Sequence, residues 1–272
     1  MNAALRTELR KIGTTRTWWI TAIAAFGYMV VMGAILAGSF VFANRQIESG
    51  AAPGGASLDP HDLALTVYTL AVSLGYIFPA LLGALVVTTE FRHRTITPTL
   101  LAEPRRGVVL GAKLLAVLPF GLVVAVAGVA GSVVGGGAAI AAFGEPTYLG
   151  ETEVIAAIGR SVLALVLWAL VGVGFGSVLT NQVAAIVVLL GFTQFVEPLL
   201  RLALSAFDVT DEVAKFLPGA AGESLAGASL YSTAQVGGLT LLTPWQGALV
   251  LGAYALGLVA IGRFTTFRRD IG

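Results

Sequence analysis

The chain has 272 residues, of which 57% are hydrophobic and 11% charged; soluble domains are roughly a quarter charged, so a water-soluble globule is excluded and an integral membrane protein indicated. The 34 glycines and long apolar runs favour close-packed helices over a barrel, whose strands would alternate in segments of about ten residues. Cysteine is absent, which removes disulfides, thiolate metal sites and cysteine nucleophiles, and a net charge of +1 points to no nucleic-acid partner.

Residues 1–16 place Leu5, Leu9 and Ile12 at helical spacing among Arg6, Arg10 and Lys11, which predicts a short amphipathic elbow helix lying along the headgroups. A secretory signal is the competing reading of a basic start before an apolar run. The run from 18 to 43, however, is longer than a signal core of about 7–15 residues, and Trp18 and Trp19 suit an interfacial belt. Six membrane spans are predicted, at 18–43, 62–89, 108–142, 154–179, 183–206 and 245–262, each near the roughly 20 residues a crossing needs. The third is overlong and glycine-rich at Gly135-Gly136-Gly137, and is expected to tilt or break near its end.

Six crossings put both termini on one side. If that side is cytoplasmic, it holds Arg6, Arg10, Lys11, Arg16, Arg92, Arg94, Arg105, Arg106, Lys113, Arg263, Arg268 and Arg269, twelve of the 16 basic residues, leaving Arg45, Arg160, Arg201 and Lys215 outside. The bias predicts a multi-pass protein of the inner (plasma) membrane with both termini and the 90–106 region in the cytoplasm. Only Thr180-Asn181-Gln182 joins spans four and five, whereas 207–244 is long and too apolar for a solvated loop, with Leu217, Leu225, Leu230, Leu239, Leu241 and Leu242. It is expected to form one or two short re-entrant helices turning at Pro218-Gly219 and shielded by protein.

The polar run between spans two and three is the most informative stretch. Thr97 can cap a helix and Pro98 is tolerated at its first position, while Glu103-Pro104 ends it. About two turns result, with Leu100 and Leu101 on one side, and so short a helix needs a surface to pack on.

The pattern Glu90-x-x-x-x-Thr95-x-x-x-x-Leu100-Leu101-x-x-Pro104-x-Arg106 followed by Lys113, an elbow ending in Arg16-x-Trp18, and Leu217-Pro218-Gly219 before the last span resemble the permease subunits of the type-2 ABC exporters. The likeness covers the whole chain in topology. Many members carry glycine just before the threonine, where this chain has Arg94. The resemblance implies that 90–106 is a coupling helix docking on a separate ATP-binding subunit through Glu90, Arg92, His93, Arg94, Thr95, Thr97, Leu100, Leu101, Arg105 and Arg106. It also implies that a second permease copy completes the pore, most simply as a homodimer, with ATP and Mg in the partner subunit. The chain itself has no G-x-x-x-x-G-K-[ST] loop and is not expected to be an enzyme.

Within the spans, Glu197 and Arg201 form an i,i+4 pair in the favourable order, read either as a functional intramembrane site or as a self-neutralising pair that positions the external segment. Arg160 is expected to snorkel. Neither histidine has partners at metal-ligand spacing. Gly131-x-x-x-Gly135 and Gly172-x-Gly174-x-Gly176 are expected to serve packing within the chain. Trp168, Phe175, Phe192, Phe195 and Tyr254 are read as packing residues or the lining of an apolar path. The expected function is export of a hydrophobic or amphipathic substrate such as a drug, lipid or peptide. The alternatives are a secondary transporter driven by an ion gradient, a structural or sensor partner using the same docking helix, and an intramembrane enzyme, against which the lack of H-E-x-x-H, G-x-S-x-G and cysteine argues.

Overall fold

The computed structural model describes residues 1–50, 57–205, 211–233 and 241–268, and these form an all-helical, multi-pass membrane protein. The elbow α1 (Asn2–Thr14) leads into α2 (Thr17–Glu48). The chain then passes through α3 (Pro60–Tyr68), α4 (Leu70–Ser73), α5 (Ile77–Arg92) and the short α6 (Ile96–Ala102). Two long helices follow, α7 (Arg106–Ala142) and α8 (Thr152–Val178). Next come α9 (Gln182–Gly191), a π-helical turn (Phe192–Val196) and α10 (Glu197–Ser205). The short α11 (Asp211–Ala214), α12 (Pro218–Ala226) and α13 (Leu230–Thr233) precede the last long helix, α14 (Pro244–Thr265).

Five helical stretches are long and apolar enough to cross a membrane: 17–48, 106–142, 152–178, 182–204 and 244–265. The expected span 62–89 is not one helix. Its physical cause is Pro79, which lacks the N–H that would bind the carbonyl of Gly75 and whose ring clashes there, so the helix restarts at Ile77 and the Gly75 carbonyl accepts from Phe78 instead, at 3.1 Å. The interruption is tolerated because 63–73 is buried throughout, against protein rather than lipid. The three pieces together return the chain from the end of the bundle where Asn44 bonds Leu58 to the end where Glu90 meets Lys11.

The overlong third segment stays unbroken. At 37 residues it measures about 55 Å against a hydrocarbon core of about 30 Å, and its glycines are occupied in packing instead. A Cβ at Gly131 would lie 2.5 Å from the Phe26 carbonyl oxygen, and one at Gly135 would strike the Val30 backbone, so α2 and α7 approach through backbone contact. Gly172 meets the Ala80 backbone, Gly176 lies 2.6 Å from the Ala84 oxygen on the same measure, and Gly174 faces Ala255 and Leu258. α8 is thereby clasped between α5 and α14, and both glycine motifs serve contacts within the chain.

A second proline acts further on. Glu197 donates its N–H to Phe192 in the π-turn, and the next donor in that register would be Pro198, which has none. The Thr193 carbonyl is therefore left over, and the buried hydroxyl of Tyr76, beside the first interruption, donates to it at 2.8 Å. Trp168 lies tilted against Tyr76, with 4.4 Å between ring centroids.

In the segment before the last long helix, α12 is buried along its whole length, with Pro218 at its first turn rather than at a bend between helices. Residues 206–210 and 234–240, including Leu239, lie outside the described residues, as does Arg269. Replacing Tyr76 with phenylalanine is expected to lower unfolding stability in detergent by about 1–3 kcal/mol, since a buried carbonyl loses its donor; a denaturant titration monitored by tryptophan fluorescence reads the change.

Candidate functional site

The residues singled out between spans two and three sit at the end of the bundle that also holds α1. α6 begins at Ile96, two residues earlier than expected, with Thr95 before it and no side-chain cap; Pro98 is still inside the first turn, where its missing N–H is harmless. α5 closes ahead of it in a Schellman turn: Thr95 donates to the Glu90 carbonyl at 2.9 Å, and Arg94 to that of Phe91 at 3.2 Å. That turn requires a left-handed residue, and Arg94 takes the position at φ 56. The corresponding turn after α7 uses Gly144, at φ 77.

Glu90, the last buried residue of α5, is the centre of a closed ring of four charges. Its Oε1 lies 2.6 Å from Lys11 Nζ and 3.0 Å from Lys113 Nζ. Glu8 completes the ring, with Oε1 2.7 Å from Lys11 and Oε2 2.8 Å from Lys113. Lys113 is fully buried and Glu8 and Glu90 nearly so, while Lys11 is partly open. Lys11 also donates to Thr99 Oγ1 at 3.1 Å, which brings α6 into the same network. Four elements are thus tied at one point: α1, α5, α6 and α7. Burial of Lys11 acts to lower its pKa, but its hydrogen bonds to Glu8 and Glu90 outweigh that, and the ammonium titrates above its ordinary value. Glu90 Oε2 has no hydrogen-bond partner among the described residues, and a groove of about 420 Å³ between α1 and α5 runs past Glu8, Lys11 and Glu90 to His93 and Thr95.

The rest of the expected set divides. Leu101 is 78% exposed at the tip of α6, Thr97 is exposed beside it, and Leu100 is half-buried against the core. Arg92 donates to Gln182 at 3.2 Å, joining the end of α5 to the start of α9. The Arg105 guanidinium donates two hydrogen bonds to Glu103, at 2.8 and 3.0 Å, and its backbone N–H a third at 3.2 Å, and these hold the Glu103 carboxyl at a pKa of about 2. Arg106 turns toward the end of α14, where it donates to the Phe267 carbonyl.

Glu197 and Arg201 do pair, at 2.9 Å, but at the opposite end, and with a third member. Arg201 also binds Glu223 of α12 at 2.9 Å, Ser229 donates to Glu223 at 2.6 Å, and the guanidinium lies 4.7 Å from the Tyr231 ring centre. Glu197 accepts from the first free N–H groups of α12, Gly219 at 2.6 Å and Ala220 at 3.3 Å. Gly219 is needed for this approach, since a Cβ there would sit 2.5 Å from both Glu197 and Arg201. Arg160 bonds the Ala226 carbonyl at 3.3 Å.

Sequence reasoning missed Glu8 and Glu223. Glu8 had a signal: it borders the stripe of Leu5, Leu9 and Ile12 three residues before Lys11. Among the described residues no group of three or more histidine and carboxylate side chains could hold a metal ion. No protein-family model matches the chain, and no curated protein matches it.

Lys113→Met would leave Glu8 and Glu90 facing each other across a buried gap with Lys11 alone between them, and is expected to cost about 3–5 kcal/mol, measured as a loss of denaturation midpoint in detergent. Arg94→Gly, by contrast, is expected to raise stability by about 1 kcal/mol, because it relieves the left-handed strain at the α5–α6 turn.

Proposed function

We propose that the chain is the membrane permease subunit of an ATP-driven exporter of the type-2 ABC class, working as a pair of copies on two separate ATP-binding subunits. In this reading the chain crosses six times, one crossing supplied jointly by α3, α4 and α5, and both termini and α6 face the cytoplasm. The placement of twelve of the 16 basic residues supports that orientation.

The observation that carries the reading is the way α6 is attached. A helix of seven residues has little stability of its own, yet this one presents Leu101 outward while Thr99 and the preceding turn are bound to the Lys11–Glu90–Lys113 network. A partner gripping Leu101 would move α1, α5 and α7 as one body. ATP binding by that partner would tilt α5 against α9 and α8 and open a path for a hydrophobic or amphipathic substrate.

One observation favours a second reading, a secondary transporter driven by an ion gradient: the two interrupted segments, at 69–76 and 192–196, meet through Tyr76 and Thr193, and discontinuous helices mark the binding sites of such transporters. The readings separate by experiment. Leu101→Asp is expected to abolish co-purification of an ATP-binding subunit without lowering the melting temperature. Glu90→Gln is expected to keep that subunit while losing substrate-stimulated ATP hydrolysis. Transport that persists with vanadate and collapses with a protonophore would overturn the exporter in favour of the gradient-driven reading, and a tag at His93 reachable only from outside intact cells would reverse the orientation.

A further inference from the structure

Where α7 begins and α14 ends, a groove of about 770 Å³ is lined by Arg105, Arg106, Arg263 and Arg268 together with Phe264 and Phe267. Among the described residues that line it, none is acidic. Arg105 is countered by Glu103, and Arg106 is held at the Phe267 carbonyl; Arg263 and Arg268 are both exposed. Gly107 lets Arg263 lie against the first turn of α7, for a Cβ there would be 3.3 Å from its guanidinium. The positive end of the α7 dipole faces the same space. So many like charges converging on one groove favour an anion between them.

The level of the groove says which anion. α14, at 22 residues, is about as long as the hydrocarbon core is thick, and Arg263 stands in its last turn, so the groove beside it lies where hydrocarbon gives way to headgroups. Guanidinium forks match phosphate oxygens in pairs. Beside them Phe264 is 63% exposed, an apolar flank suited to an acyl chain. Basic clusters at the ends of spanning helices on the cytoplasmic side are where anionic headgroups are recognised.

We infer that this groove binds the phosphate of an anionic phospholipid, with the acyl chains running along the exposed side of α14. The inference rests on the proposed orientation, with this end of α7 and α14 at the cytoplasmic face; it does not depend on the exporter reading.

The test uses the full chain in a neutral detergent, titrated with phosphatidylglycerol, phosphatidylcholine or inorganic phosphate, with the melting temperature as readout. Phosphatidylglycerol is expected to raise it saturably at a few molecules per chain, and phosphatidylcholine and inorganic phosphate are not. The double variant R263Q/R268Q is expected to weaken the phosphatidylglycerol response by roughly tenfold or more. R6Q/R10Q, which removes equal charge from exposed positions of α1 away from the groove, is expected to keep it. An unchanged response in R263Q/R268Q overturns the site, and equal losses in the two double variants reduce it to diffuse surface charge and overturn it likewise. A response to inorganic phosphate at matching concentration assigns the groove to a free anion instead. Loss of a captured protein partner in R263Q/R268Q with the lipid response intact assigns it to that partner; either result overturns the lipid.

Discussion

Two lysines and two glutamates, all but Lys11 withdrawn from water, set the terms at one end of this bundle. A single buried ion costs several kcal/mol, and its attraction to a partner offsets that only when the geometry is good. Here each member touches two of opposite sign, at 2.6 to 3.0 Å, and the ring closes at zero net charge. Positions 8, 11, 90 and 113 therefore stay in register or move together, because withdrawing one leaves an unbalanced charge behind. The helix contacts elsewhere impose no such condition. Lipid drives helices together no more than it drives them apart, and the backbone contacts at Gly131, Gly135 and Gly172 are van der Waals in kind. The glycines decide how closely the helices lie, and the charge ring decides their register at one end.

The opposite end is built differently. Glu197 and Glu223 share the single guanidinium of Arg201, two carboxyl groups to one cation, and the cluster holds the short α12 rather than a long helix. Among the described residues Glu197 Oε2, Glu223 Oε1 and Arg201 Nε have no hydrogen-bond partner. The two ends are joined by α5, whose 16 residues make a rod of about 24 Å. One end follows Tyr76, bound to the π-turn, and the other carries Glu90. In the proposed permease this rod is the link between the helix a partner would grip and the segment that closes the far side.

Much of this was legible in the sequence. Apolar length and the basic-residue count located the elbow, five of the spans and the polar stretch, because these depend on composition summed over many residues. The glycine motifs gave close packing, and Thr97-Pro98 and Glu103-Pro104 marked a short helix to within two residues. Arg94 stood where many members of the proposed family carry glycine, and the fold gives it the left-handed backbone that glycine adopts at least cost. Pairings over long separations were not legible. Lys11 and Glu90 lie 79 residues apart, and Lys113 and Glu8 lie 105 apart; no local rule connects them. Glu223 lies in a segment expected to be shielded by protein, but no local rule pairs it with Arg201, 22 residues away.

The two prolines were in plain view and were passed over, since average hydropathy runs smoothly across both. Each acts through the carbonyl it leaves without a donor. At Pro79 the gap closes locally, when Gly75 accepts from Phe78. At Pro198 the π register shifts the loss to Thr193, and relief comes from a side chain 117 residues away in sequence. A hydrogen bond of this kind joins two weakened points rather than two rigid rods. Neither the start of α5 nor the π-turn has a full set of backbone bonds holding it straight, so a small rotation at either costs less than in an unbroken helix. The Tyr76 hydroxyl makes such a rotation a joint event: α5 cannot turn at its interrupted end without either carrying the π-turn, and Glu197 at its edge, or leaving a carbonyl unbonded in the interior.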